Sequence, residues 1–107
     1  MILKKDDLVR EIKRLSNLLD AHYNSQLNFR NHCYLRIAYD TTIADQWDAQ
    51  VKKPFTKYAS TEQLQNALAL LNLYLVDETK LLADNQNSLL FRKRKPKHDA
   101  KTEITLF

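Results

Sequence analysis

Apolar side chains first recur three and four positions apart at Leu8, Ile12, Leu15 and Leu19, with Val9 and Leu18 widening the stripe. At about 100° per residue this spacing predicts an amphipathic helix. Asp6 or Asp7 is its expected cap, and it should run to about Tyr23 with Lys4, Arg10, Lys13 and Arg14 mostly on the wet side. The polar stretch Asn24-Ser25-Gln26-Leu27-Asn28 reads as a loop. A second, longer helix is predicted from about Phe29 to Lys52. Cys33, Ile37, Ala44, Trp47 and Val51 form its apolar face, joined by Tyr34 and Ala38. The β-branched run Thr41-Thr42-Ile43 weakens local propensity, but the spacing resumes beyond it. Pro54 biases Lys53 away from helical geometry and sets the end.

Pro54 to Ala59 reads as a connecting loop pinned to the core by Phe55 and Tyr58. Ser60-Thr61-Glu62-Gln63 then matches a capping box, the clearest helix start in the chain. A third helix follows through Val76. Asp77-Glu78-Thr79-Lys80 offers a cap for a fourth, whose inner face would be Leu81, Leu82, Asn85 and Leu89; the pattern equally accommodates one continuous helix. Pro96 blocks continuation, and the chain ends on the apolar, β-prone Ile104-Thr105-Leu106-Phe107. The expected fold is therefore all-α: an antiparallel bundle of three to four helices over residues 1–94, with a flexible basic C-terminal tail over 95–107.

Composition reinforces this picture. Glycine is absent, and proline occurs only at Pro54 and Pro96. Tight hairpin turns lean on glycine or asparagine at positive φ, whereas helices accept other caps. With 107 residues, 44% of them hydrophobic and 28% charged, the chain suits a single domain with its own core. The lone Cys33 permits no internal disulfide, which fits a reducing compartment, and the cytoplasm is the expected location. Met1-Ile2-Leu3 runs at once into Lys4 and Lys5, too short for a signal-peptide core. No stretch approaches the roughly 18 apolar residues of a membrane span.

Charge changes the picture more. The net charge is +4, from 17 Lys and Arg against 13 Asp and Glu. Five of those cations, Arg92, Lys93, Arg94, Lys95 and Lys97, lie in residues 92–97; the remainder of the chain carries a net −1. The basic character thus belongs to one short segment, and those five residues are the candidate polyanion contacts, with nucleic acid the commonest such partner. The plainer reading is a solvated helix end, where the helix dipole favours cations.

Candidate chemistry is sparse. Without glycine there is no Walker loop, dinucleotide fingerprint or nucleophile elbow. The densest stretch is Arg30 to Asp40, where a helix would bring His32, Arg36, Tyr39 and Asp40 to one side, with Ile43 and Trp47 further along. Imidazole, guanidinium and carboxylate together suit anion binding or proton transfer. His32, Arg36, Tyr39, Asp40 and Trp47 are therefore the candidate ligand-binding residues. The plainer reading makes Arg36 and Asp40 an ordinary surface pair at i,i+4, contributing a few tenths of a kcal/mol, with Tyr39 and Trp47 as rim packing. His32 and Cys33 would point about 100° apart on a helix, and Cys33 falls on the apolar stripe, so no metal or cofactor is expected.

The third helix is apolar nearly all round. Leu64, Leu68, Leu71 and Leu75 form one face, Ala67, Leu70 and Tyr74 a second, and Ala69, Leu73 and Val76 much of the rest. Such a helix must be surrounded, which predicts a homodimer through Leu70, Leu73 and Tyr74. The rival is a helix sheathed entirely by its own chain. The function expected is a non-enzymatic binding or adaptor protein that contacts nucleic acid or an acidic protein through residues 92–97. The alternatives are a self-assembling structural protein, and a small enzyme using His32, Arg36 and Asp40.

Overall fold

The first and third predicted stripes become helices in the computed structural model, which describes residues 4–24 and 26–94, and the second does so in part. Helix α1 spans Lys5–His22, α2 Asn31–Ile43, the single turn α3 Phe55–Tyr58, α4 Thr61–Val76 and α5 Glu78–Arg94. The fold is an all-α bundle, as the pattern predicts, with no strand among the described residues. The tail expected over 95–107, including Lys95 and Lys97, lies outside them.

Side-chain bonds fix the helix directions. Lys5 Nζ, at the start of α1, donates to the carbonyl of Lys57, just before α4. At the far end the Tyr23 hydroxyl donates to the carbonyl of Tyr74 at 2.6 Å, so α1 and α4 run parallel. Tyr34 stacks on Tyr23 with ring centroids 6.3 Å apart, which sets α2 returning against α1. Arg36 reaches Asn85 and Asp40 meets Arg92, so α5 runs parallel to α2. Consecutive long helices therefore alternate in direction. Helices α2 and α4 form the central pair, and α1 and α5 each pack on both. One end of the bundle gathers the start of α1, the end of α2, the start of α4 and the end of α5.

The core takes Leu8, Ile12, Leu15 and Leu19 from α1 and Tyr34, Ile37 and Ala38 from α2. It is completed by Leu64, Ala67, Leu71 and Tyr74 from α4 and Leu81 from α5. Full burial of each large aliphatic side chain is worth about 1.5–3 kcal/mol. The capping box forms in full: Ser60 Oγ accepts from the Gln63 N–H at 3.0 Å, and Gln63 Oε1 accepts from the Ser60 N–H at 2.8 Å. At α1, by contrast, Lys4 is the cap residue without a side-chain bond, and Asp6 and Asp7 lie in the first turn, where the dipole favours them.

The predicted long second helix is wrong. It stops at Ile43, and Ala44 takes left-handed geometry with φ 63° and ψ 36°. Asp40 is the cause. Its carbonyl accepts the N–H groups of Ala44 and Asp45 at 2.7 and 3.2 Å, and its carboxylate accepts that of Trp47 at 2.9 Å. A 3₁₀ turn at Trp47–Ala49 follows, and the Lys53–Pro54 peptide is cis.

Residues 54–59, expected as a loop, contain the turn α3. Phe55 is buried and pins it; Tyr58 does not, being 48% exposed. Between α4 and α5 the chain breaks at Asp77 (φ −135°, ψ 85°), whose Oδ1 caps α5 by accepting the Lys80 N–H at 3.0 Å. The two are separate helices. The inner face of α5 matches expectation at Leu81 and Asn85, which are buried, but Asp84 and Ser88 are buried with them in place of Leu82 and Leu89, which are exposed.

Candidate functional site

The chemistry-bearing side chains meet where α2 lies against α5. Asp40 is fully buried and receives four hydrogen bonds. Its Oδ1 accepts from the Trp47 backbone N–H at 2.9 Å and from Arg92 Nη2 at 3.0 Å. Its Oδ2 accepts from Ser88 Oγ at 2.5 Å and from Arg92 Nε at 2.8 Å. Arg92 thus grips the carboxylate bidentately, the strongest geometry for this pair. The Ser88 hydroxyl in turn accepts from Arg36 Nη1 at 2.7 Å, and Arg36 Nη2 donates to Asn85 Oδ1 at 2.9 Å. Burial draws the Arg36 guanidinium below its ordinary proton affinity, with the neighbouring Arg92 charge adding to it.

The predicted surface pair of Arg36 and Asp40 is therefore corrected. The two side chains do share a helix face, but that face is an interior seam. Burying an unpaired carboxylate is prohibitive, so Asp40 takes the nearest forked cation, and Arg36 takes the neutral acceptors beside it. With all its acceptor positions toward α5 and Trp47 filled, Asp40 offers a substrate no free oxygen. The arrangement works as a clamp between two parallel helices.

The other candidates fall into separate places. His32 is exposed in the first turn of α2, about 12 Å along the axis from Asp40 at 1.5 Å per residue. Tyr39 and Trp47 belong to an aromatic cluster with Phe55: Tyr39 stacks on Phe55 at 3.8 Å, and Trp47 meets both rings edge-on at 5.6 and 5.4 Å. Burial pushes the Tyr39 hydroxyl up to about 12. The structure brings Asp40 and Arg36 into one network, with Trp47 joined through its backbone, and leaves His32 out. Sequence reasoning placed Asn85 on the inner face without a partner and missed Ser88; their signal was a polar stripe at helical spacing, Asp84, Asn85, Ser88 and Arg92, matching Arg36 and Asp40 on α2.

Among the basic residues, Arg92 is only 27% exposed and is engaged by Asp40, while Lys93 is exposed. Of the dimer candidates, Tyr74 is not available. It is fully buried, and its hydroxyl donates to Asp84 Oδ2 at 2.6 Å, while Lys80 Nζ pairs with Asp84 Oδ1 at 2.9 Å. Leu70 is half-buried and Leu73 is 38% exposed. Both line an open groove of about 400 Å³ with Thr41, Thr42, Asn66 and Ala69, none of them charged.

Among the described residues no group of three or more His, Cys, Asp or Glu side chains is placed to hold a metal ion. No described helix is long and apolar enough to cross a membrane. No protein family, curated protein or solved structure matches the chain.

Proposed function

We propose that the chain is a small non-enzymatic binding protein of the cytoplasm that contacts a polyanion, nucleic acid foremost, through the basic end of α5. The observation that carries this reading is the seat of Arg92 on Asp40. It ties the first cation of the basic run to the core, next to the exposed Lys93. Four further cations follow Arg92 in the sequence: Lys93, Arg94, Lys95 and Lys97. Neutralising phosphates with such cations gives affinity without base specificity.

Cutting the chain before Arg92 would remove the partner of a buried carboxylate, so the test substitutes in place. The full chain with Lys93, Arg94, Lys95 and Lys97 changed to Gln is compared with the parent in a gel-shift assay. Loss of binding with unchanged thermal stability is expected, and equal binding by the two refutes the reading. An acidic protein as partner would show as binding to polyglutamate but not to an oligonucleotide.

A second reading, self-association through α4, is favoured by its outer surface. From Gln63 to Val76 the helix carries no charged residue. Leu73, which lines the uncharged groove, is 38% exposed, and Val76 is 83% exposed. Such a surface meets its own copy without repulsion across a two-fold axis.

A further inference from the structure

The turn α3 and the residues before it gather a further set of cations around Tyr58. Lys57 Nζ and Lys52 Nζ lie over its half-exposed ring, 5.4 and 5.7 Å from the centroid, as cation–π contacts. Lys5 arrives from the start of α1 and hydrogen-bonds the Lys57 carbonyl, which leaves two of its three donors free. Lys53, next to Lys52 in sequence, makes a long 3.8 Å pair with Asp48. Lys52 and Lys57 form no ion pair among the described residues. The fold holds this arrangement in place, since Phe55, three residues earlier, is buried against Tyr39 and Trp47.

The cluster and Arg92, the start of the basic run, share an end of the molecule. Asp40 binds both Arg92 and the Trp47 N–H, and the Trp47 ring packs on Phe55. A continuous chain of contacts thus leads from the end of α5 to α3. An exposed aromatic ring among lysines suits a ligand with flat rings and negative charges in alternation. Base stacking on an aromatic side chain, with the backbone tracked by cations, is how single strands are held without sequence preference. A duplex keeps its base faces covered, and a sulfated polysaccharide has none.

We propose that Tyr58, with Lys5, Lys52 and Lys57, is a platform for single-stranded nucleic acid: one base displaces a lysine head from the Tyr58 ring and stacks there, and the flanking phosphates take up the ammonium groups. This deepens the polyanion reading and rests on it, adding a contact that distinguishes bases from charge alone. The test uses the full chain and two labelled probes in fluorescence anisotropy, an oligothymidylate of about twelve nucleotides and a heparin oligosaccharide. Tyr58→Ala is expected to weaken the oligothymidylate about ten-fold and leave heparin unchanged, and Tyr58→Trp to restore the affinity. Lys52→Gln with Lys57→Gln should weaken both probes and flatten the salt dependence. If Tyr58→Ala binds oligothymidylate like the parent while the Gln variant of Lys93 to Lys97 loses it, the platform is refuted and the basic-run reading stands. Equal loss of both probes on Tyr58→Ala overturns the stacking role. Failure of the parent to bind either probe refutes both readings.

Discussion

At Asp40 a single carboxylate joins the end of α2, the 3₁₀ turn and α5, and its energetics follow from its burial. Removing one partner of a buried pair leaves a bare charge and costs about 3–5 kcal/mol. Arg92→Ala should lower the unfolding free energy by that amount in a urea titration, and a loss below about 1 kcal/mol would show that the pair is exposed. Arg36→Ala removes two bonds to neutral acceptors on α5 and should cost about 2 kcal/mol, several times what a surface pair would contribute. Buried tyrosines add a pH dependence. Burial pushes the hydroxyls of Tyr34 and Tyr39 up to about 12 and raises that of Tyr74 as well. Unfolded tyrosine titrates near 10. Below that value both states keep the proton and the stabilisation is complete. Above it the unfolded chain ionises first, so stability should fall as pH rises from about 10 towards 12. Urea midpoints across this range, followed beside the phenolate absorbance, check the sign; ionisation of every tyrosine near 10 with no loss of stability would contradict it.

Among the elements, the most informative boundary is the end of α2. Ala44 carries the one positive φ of a non-glycine residue among the described residues. A side chain with a Cβ is disfavoured there by about 1 kcal/mol, so Ala44→Gly should raise stability by roughly that much. Ser60→Ala, which deletes the capping box of α4, should lower it by about 1 kcal/mol. Both are read from denaturation midpoints. The stripes on α1 and α4 and the Ser60 cap were legible in the sequence because local spacing and local chemistry settle them. The break after Ile43 was not, because the apolar spacing resumes at Trp47, and the bond that ends the helix comes from Asp40, whose burial depends on α5. Half of the inner face of α5, at Leu82 and Leu89, was misread for the same reason. Leu82 and Leu89 look like core by hydropathy, but Asp84, Asn85, Ser88 and Arg92 find complementary groups on α2, Tyr74 and Lys80. A polar stripe is interior only when its partner stripe is known to face it. The candidate site shared this fate: Arg36, Asp40 and the Trp47 backbone do meet in one network, but the contacts that define it come from distant parts of the chain.

For the molecule as a whole, two surfaces stand out: the uncharged outer side of α4 and the basic end of the bundle. The first predicts that Leu73→Glu with Val76→Glu turns a self-associating species into a 12.6 kDa monomer in analytical ultracentrifugation. A parent chain that is already monomeric at micromolar concentration would contradict it. Tyr74 has no part in that test, since its hydroxyl and ring belong to the core. The second surface carries the central claim, that this helical bundle acts by presenting cations and not by catalysis at the Asp40 seam. The most direct measurement is the affinity of the full chain for a single-stranded oligonucleotide across a salt series. Each phosphate neutralised on a single strand contributes about −0.7 to the slope of log affinity against log salt. The four cations from Lys93 to Lys97 therefore predict a slope of about −3, steeper if the Tyr58 lysines also engage. A slope near zero, or no binding at low salt, would contradict the account.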